Sequence, residues 1–87
     1  MRPLRRSDLV TRTVDGEIVI LDLANGAVHR LNATATSIWN DCDGKSTALE
    51  IATRLGATVQ RRPDEVIGDV SDAIGSLQRL GLLERHD

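Results

Sequence analysis

The chain has 87 residues, 40% of them apolar and 28% charged, and a net charge of −2 at neutral pH. That fits one soluble domain with a modest core, and it excludes the basic field that draws in nucleic acid or anionic lipid. One cysteine excludes an internal disulfide, and one Trp with no Phe or Tyr leaves the core to Leu, Ile, Val and Ala.

The basic start, Met1-Arg2-Pro3-Leu4-Arg5-Arg6, leads into no apolar run, so no signal peptide is read. No stretch approaches the roughly 20 apolar residues of a membrane span. The cytoplasm is the expected location. Residues 1–8 read as a flexible arm, with Arg2, Arg5 and Arg6 as solvated charges.

Residues 9–14 read as a first strand, closed by the tight turn Asp15-Gly16. Residues 17–22 are dense in β-branched side chains and read as a second strand. Its alternation sets Ile18 and Ile20 on one face and Val19, Leu21 and Leu23 on the other. Both sets are apolar, so cover on both sides is expected. Asn25-Gly26 is a hairpin signal, because both residues tolerate positive φ. Residues 27–31 return antiparallel as the third strand, at a sheet edge. Ala27, His29 and Leu31 share one of its faces, Val28 and Arg30 the other. An edge with nothing beyond it offers free N–H and C=O groups to another chain.

Asn32 is a good N-cap for a first helix. Ala35, Ile38, Trp39 and Cys42 follow at the spacing of one buried stripe, and Gly44 is its expected stop. Thr47 to Glu50 fits a capping box. Ala48, Ile51, Ala52 and Leu55 form the second stripe, with Gly56 as stop and residues 57–62 as a loop. Pro63, Asp64 and Glu65 suit the first turn of a third helix reaching about Leu80, with Gly81 as stop. The tail, residues 85–87, reads as frayed.

No reactive constellation emerges. Cys42 sits on an apolar stripe and reads as a buried, inert thiol. His29 and His86 make no metal-ligand spacing with it. Asp41 and Asp43 bracket a helix end and read as capping groups. Trp39 reads as the core anchor. The seven glycines are scattered, so no phosphate loop is present. No catalytic residue, metal or cofactor is expected. One acidic set stands out on the third helix: Asp64, Glu65, Asp69 and Asp72, with no basic residue between Pro63 and Gln78. Glu65, Asp69, Asp72 and Ser76 share a face. It is either a solvated face or a patch that attracts a basic peptide.

The ordered set Asp15-Gly16, residues 19–23, Gly26, Leu31-Asn32, Ile38-Trp39, Asp43-Gly44, Glu50-Ile51-Ala52 and Asp69-Val70 through Glu84 resembles the pyrroloquinoline quinone biosynthesis protein D family. The resemblance covers about residues 9–84. That family contains the recognition elements for precursors of ribosomally made, modified peptides. The resemblance implies an α+β, winged-helix-like domain, a three-stranded antiparallel sheet packed on three helices. It implies a non-catalytic peptide chaperone. Such a domain binds the leader segment of a precursor by strand addition beside the third strand, against the third helix. It presents that leader to a modifying enzyme, either a radical SAM enzyme or a leader peptidase and cyclase. By position, Ala27, Val28, His29, Arg30 and Leu31 supply one wall, and Asp69, Asp72, Ala73, Ser76 and Leu77 the other. Val28, Arg30, Ala73 and Leu77 are expected to line side-chain pockets, with Asp69 and Asp72 holding a Lys or Arg of the leader. Where this family often carries aromatics after the hairpin Gly, this chain has Val28 and His29.

Three other readings stand beside it, of which an enzyme is set aside for want of any reactive set. A winged-helix DNA-binding protein would use the third helix for recognition, but that helix is acidic and would face phosphates. A general protein-interaction domain needs no leader. The open edge also suits pairing with a second copy as a homodimer.

Overall fold

A computed structural model of the chain describes residues 2–84. Three strands, β1 (Val10–Val14), β2 (Glu17–Asp22) and β3 (Ala27–Arg30), form an antiparallel meander in the order β1-β2-β3. Three helices follow, α1 (Ala33–Asn40), α2 (Ala48–Val59) and α3 (Pro63–Arg79). This is the α+β architecture expected from the sequence. The tail 85–87, with His86, lies outside the described residues. Among the described residues no helix is long and apolar enough to cross a membrane.

The β1–β2 turn uses Asp15 and Gly16, both at positive φ (53° and 79°), as a two-residue hairpin requires. The β2–β3 turn is longer than the Asn25-Gly26 signal implies. Leu23 to Gly26 lie between the paired residues Asp22 and Ala27, and only Gly26, at φ 62°, is left-handed there. Asn25 acts through its side chain instead, its Nδ2 donating to Asp22 Oδ2 at 2.8 Å.

On β2, Ile18, Ile20 and Asp22 are buried while Glu17, Val19 and Leu21 are half-buried. The middle strand is therefore fully covered on one face, not both. The helix that reaches it is α1. Thr36 of α1 is buried and ties the layers together, accepting from Ile18 N at 3.0 Å and donating to Leu31 O at 3.2 Å. Asn32 caps α1 by accepting from Ala35 N at 2.8 Å. Ile38 and Trp39 are buried, as the stripe predicts. The helix ends at Asn40, ahead of the expected stop Gly44, which sits at φ 78° in the turn beyond.

The Thr47–Glu50 capping box forms as expected. Gly56 does not stop α2, which runs on to Val59 with Gln60 left-handed at its end. A Cβ at Gly56 would lie 2.5 Å from Arg61 O, so glycine serves a close backbone approach, not a terminus. Helix α3 starts at Pro63 and ends before Gly81 at φ 73°, as predicted. Its Val66, Val70, Ile74 and Leu77 join Ile20 and Trp39 in the core.

Residues 3–6 are not a loose arm. They lie between two other segments, as the middle of a small backbone ladder. Arg5 N donates to Cys42 O at 3.0 Å and Gly44 N to Pro3 O at 2.9 Å on one side. Arg6 N donates to Leu82 O at 3.1 Å and Glu84 N to Leu4 O at 2.7 Å on the other. Nor are the arginines simply solvated. Arg5 Nη1 donates to Asn40 O at 2.6 Å and to Trp39 O at 3.1 Å, two carbonyls in the last turn of α1. Arg6 pairs with the buried Asp22, Nη1 to Oδ2, at 2.9 Å. Desolvating Asp22 without such partners would be costly.

Candidate functional site

Leu31 N donates to Ile18 O at 2.9 Å. In an antiparallel ladder the bonded pairs alternate. With the register Ile20↔His29 and Asp22↔Ala27, His29 and Ala27 therefore turn their backbone groups toward β2. Val28 and Arg30 turn theirs to the other side. β3 ends the sheet, so among the described residues those groups have no strand to bond.

No Cα of β3 comes within 8 Å of α3. Two features flank β3 at its ends. At the C-terminal end of β3, Thr34 at the start of α1 lines a pocket of about 320 Å³ with Leu55, Val59, Arg61, Val66 and Asp69. At the hairpin end, Arg6 Nη1 donates both to Asp22 Oδ2 and to Gly81 O beyond α3. Arg6 thus links the end of β2, where the hairpin to β3 begins, to the turn after α3.

The ten residues expected to bind a leader divide into four groups. Ala27 and His29 are half-buried on the helix side of the sheet, opposite Asp22 and Ile20. The His29 side chain makes no hydrogen bond among the described residues. Val28 and Arg30 lie on the other face, opposite Leu21 and Val19. They offer their backbone to the edge, but their side chains do not line a strand–helix pocket. Val28 is 67% exposed, and Arg30 Nη2 pairs with Glu17 at 2.9 Å. Leu31 and Leu77 are buried in the core, and the Leu31 amide is taken by Ile18. On α3, Asp69, Asp72 and Ser76 are exposed and Ala73 is half-buried.

Leu80, the C-cap of α3, follows Asp69, Ala73 and Ser76 at helical spacing and is 48% exposed.

The acidic set splits as well. Asp64 and Glu65 approach Arg62 Nε at 3.5 and 3.3 Å. Asp69 and Asp72 form no ion pair among the described residues, so α3 carries two uncompensated negative charges there. Cys42 is buried, and desolvation pushes its thiol up to about 11. Asp41 approaches Arg54 at 3.4 Å. Asp43 accepts from Lys45 N and Ser46 N, which hold its carboxyl below the usual range. Among the described residues no His, Cys, Asp and Glu cluster is arranged to hold a metal ion.

Residues 17–83 match the family described as Coenzyme PQQ synthesis protein D (PqqD). Two solved structures share the fold at a TM-score of 0.83. One is described as "TbiB1 in Complex with the TbiA(beta) Leader Peptide", with 25% identity over 97% of this chain and 98% of that one. The other is "Lasso peptide synthetase B1 complexed with the leader peptide", with 20% identity over 98% of this chain and 100% of that one. No curated protein matches the sequence.

Proposed function

We infer that this chain, which belongs to the coenzyme PQQ synthesis protein D family, is a non-catalytic chaperone for the leader segment of a ribosomally made precursor peptide. The leader adds a strand to β3 in the groove against α3, and the domain presents it to a modifying enzyme. The observation that carries this reading is the edge itself. Val28 and Arg30 direct donors and acceptors to the side of β3 on which no strand lies among the described residues, and a strand laid at the usual spacing of about 4.8 Å would meet both.

Main-chain bonds contribute about 0.5–1.5 kcal/mol each and discriminate little among sequences. Selectivity comes from side chains of the leader that turn inward, toward Ala27 and His29 on one wall and Ala73, Ser76 and Leu80 on the other. Asp69 and Asp72 favour a Lys or Arg of the leader. The pocket beside Thr34 suits one apolar side chain. The neighbour captured with a leader peptide, at 25% identity over nearly the whole chain, supports the reading. The acidic outer face of α3 speaks against the DNA-binding alternative.

The enzyme served is a radical SAM enzyme or a leader peptidase and cyclase, and the cytoplasm is the proposed setting. Genes adjoining this one decide between the enzymes. The test is titration calorimetry with the synthetic leader of the precursor encoded beside this chain's gene. Saturable one-to-one binding supports the reading. A folded protein that releases no heat and shows no anisotropy change with that peptide overturns it. Sedimentation of the free chain tests whether the same edge pairs two copies.

A further inference from the structure

Arg6 links the hairpin end of the sheet to the turn after α3. All five of its N–H groups are engaged. Nε and Nη2 donate to Asp8 at 3.1 and 2.6 Å, Nη1 donates to Asp22 Oδ2 and Gly81 O at 2.9 Å each, and Nη2 also reaches Asp22 Oδ1 at 3.4 Å. Asp22 is 1% exposed and is the residue opposite Ala27, where β3 begins. Gly81 follows the C-cap of α3. One guanidinium thus joins the hairpin end of the strand wall to the C-terminal end of the helix wall.

No direct strand–helix packing does this work, since no Cα of β3 lies within 8 Å of α3. At the opposite end the spacing is fixed by α1, packed between β2 and α3. We propose that Arg6 is a positioning residue for leader binding: by bridging Asp22 to Gly81 O it sets the width of the groove at the hairpin end. An added strand needs a fixed lateral distance to bond Val28 and Arg30 while its inward side chains meet α3.

The planar fork is what permits this. Three acceptors on three segments are held in one plane, and Asp8 keeps the plane oriented. A lysine would retain the charge and lose the bridge. Asn25 Nδ2 at 2.8 Å from Asp22 Oδ2 holds the carboxylate in place from the turn side. The amide of Arg6 is itself fixed to Leu82 O at 3.1 Å, so the strut has a rooted base.

The proposal rests on the leader-binding reading, and its test separates the two. The full chain carrying Arg6→Lys, and separately Asp22→Asn, is compared with Ile51→Val, a core variant remote from the groove, at a temperature where circular dichroism shows all of them folded. The probe is the synthetic leader of the neighbouring precursor, fluorescently labelled. The expected result is a rise in Kd of about tenfold for both strut variants and little change for Ile51→Val. Spin labels at Ala24 and Arg79 should report a longer or broader separation in Arg6→Lys than in the parent. If the parent binds no leader, the functional reading fails. If the parent binds and the strut variants bind equally well, or if Ile51→Val weakens binding as much per degree of lost thermal stability, the strut proposal is overturned.

Discussion

The bond from Leu31 N to Ile18 O, 2.9 Å long, fixes which amides of β3 remain open. Counting back through the alternation, Val28 and Arg30 point outward, and His29 points into the sheet. Proline substitution distinguishes the two. Val28→Pro deletes a donor that only an incoming strand would use, at an edge that tolerates proline. It should leave the melting temperature nearly unchanged and weaken leader binding by about 1 kcal/mol, roughly fivefold. His29→Pro removes a ladder bond and should lower stability by about 3 kcal/mol. Calorimetry and thermal melts of both variants check this; the reverse pattern would mean the register is misassigned.

Asp69 and Asp72 on α3 form no ion pair among the described residues. Replacing both with Lys should weaken binding of a basic leader by about 0.2–1 kcal/mol per lost exposed pair at low salt. The difference between parent and variant should shrink as ionic strength rises and the Debye length falls to about 8 Å or less. Affinity of the parent that does not change with salt would make the two acids bystanders.

Acid should loosen the hairpin end of the groove. Bonds from Asn25 and then Arg6 hold the Asp22 carboxyl below its ordinary 3.8, and Arg6 does the same for Asp8. A carboxylate with a depressed folded pKa contributes stability that is complete well above its unfolded value. That contribution is lost as pH falls below about 4 through the folded value. Thermal melts between neutral and strongly acidic pH should show a falling limb in that window. Asp22→Asn should flatten it while lowering stability at neutral pH. An unchanged limb in the variant would assign acid lability to other groups, Asp43 and Glu50 being next, since both carboxyls are also depressed.

Gly56 offers a test of the fold apart from the groove. Alanine is the better helix former, and at an open site it would stabilise α2 by about 0.8–1.0 kcal/mol. Here its Cβ would meet Arg61 O, a backbone atom, at 2.5 Å. Gly56→Ala should therefore destabilise the chain by roughly 1–3 kcal/mol. Chemical denaturation decides it, and a gain in stability would contradict the close approach.

Local chemistry carried most of the fold into the sequence. Asp15-Gly16, the Thr47–Glu50 box and Pro63 each act within a few residues, so their signals survive without tertiary context. Gly56 shows where that fails: a helical stop and a close backbone approach both call for glycine, and only the position of Arg61 separates them. The arginines failed for a related reason. Arg5 meets Trp39 across 34 residues of chain and Arg6 meets Gly81 across 75, beyond any periodic pattern. At the groove, alternation correctly divided Ala27 and His29 from Val28 and Arg30. Which set lies on the buried face depended on which face of β2 the helices cover, and the apolar residues on both faces of that strand concealed it. Leu77 and Leu31 read as wall residues because their spacing is right, yet the core needed their volume.

The most direct measurement is amide hydrogen exchange at single-residue resolution on the free chain and on the chain saturated with leader. The amides of Val28 and Arg30 should exchange freely before binding and become protected on saturation, while Ala27 and His29, already bonded to β2, change little. Saturable binding that leaves Val28 and Arg30 exchanging as before would contradict strand addition at β3.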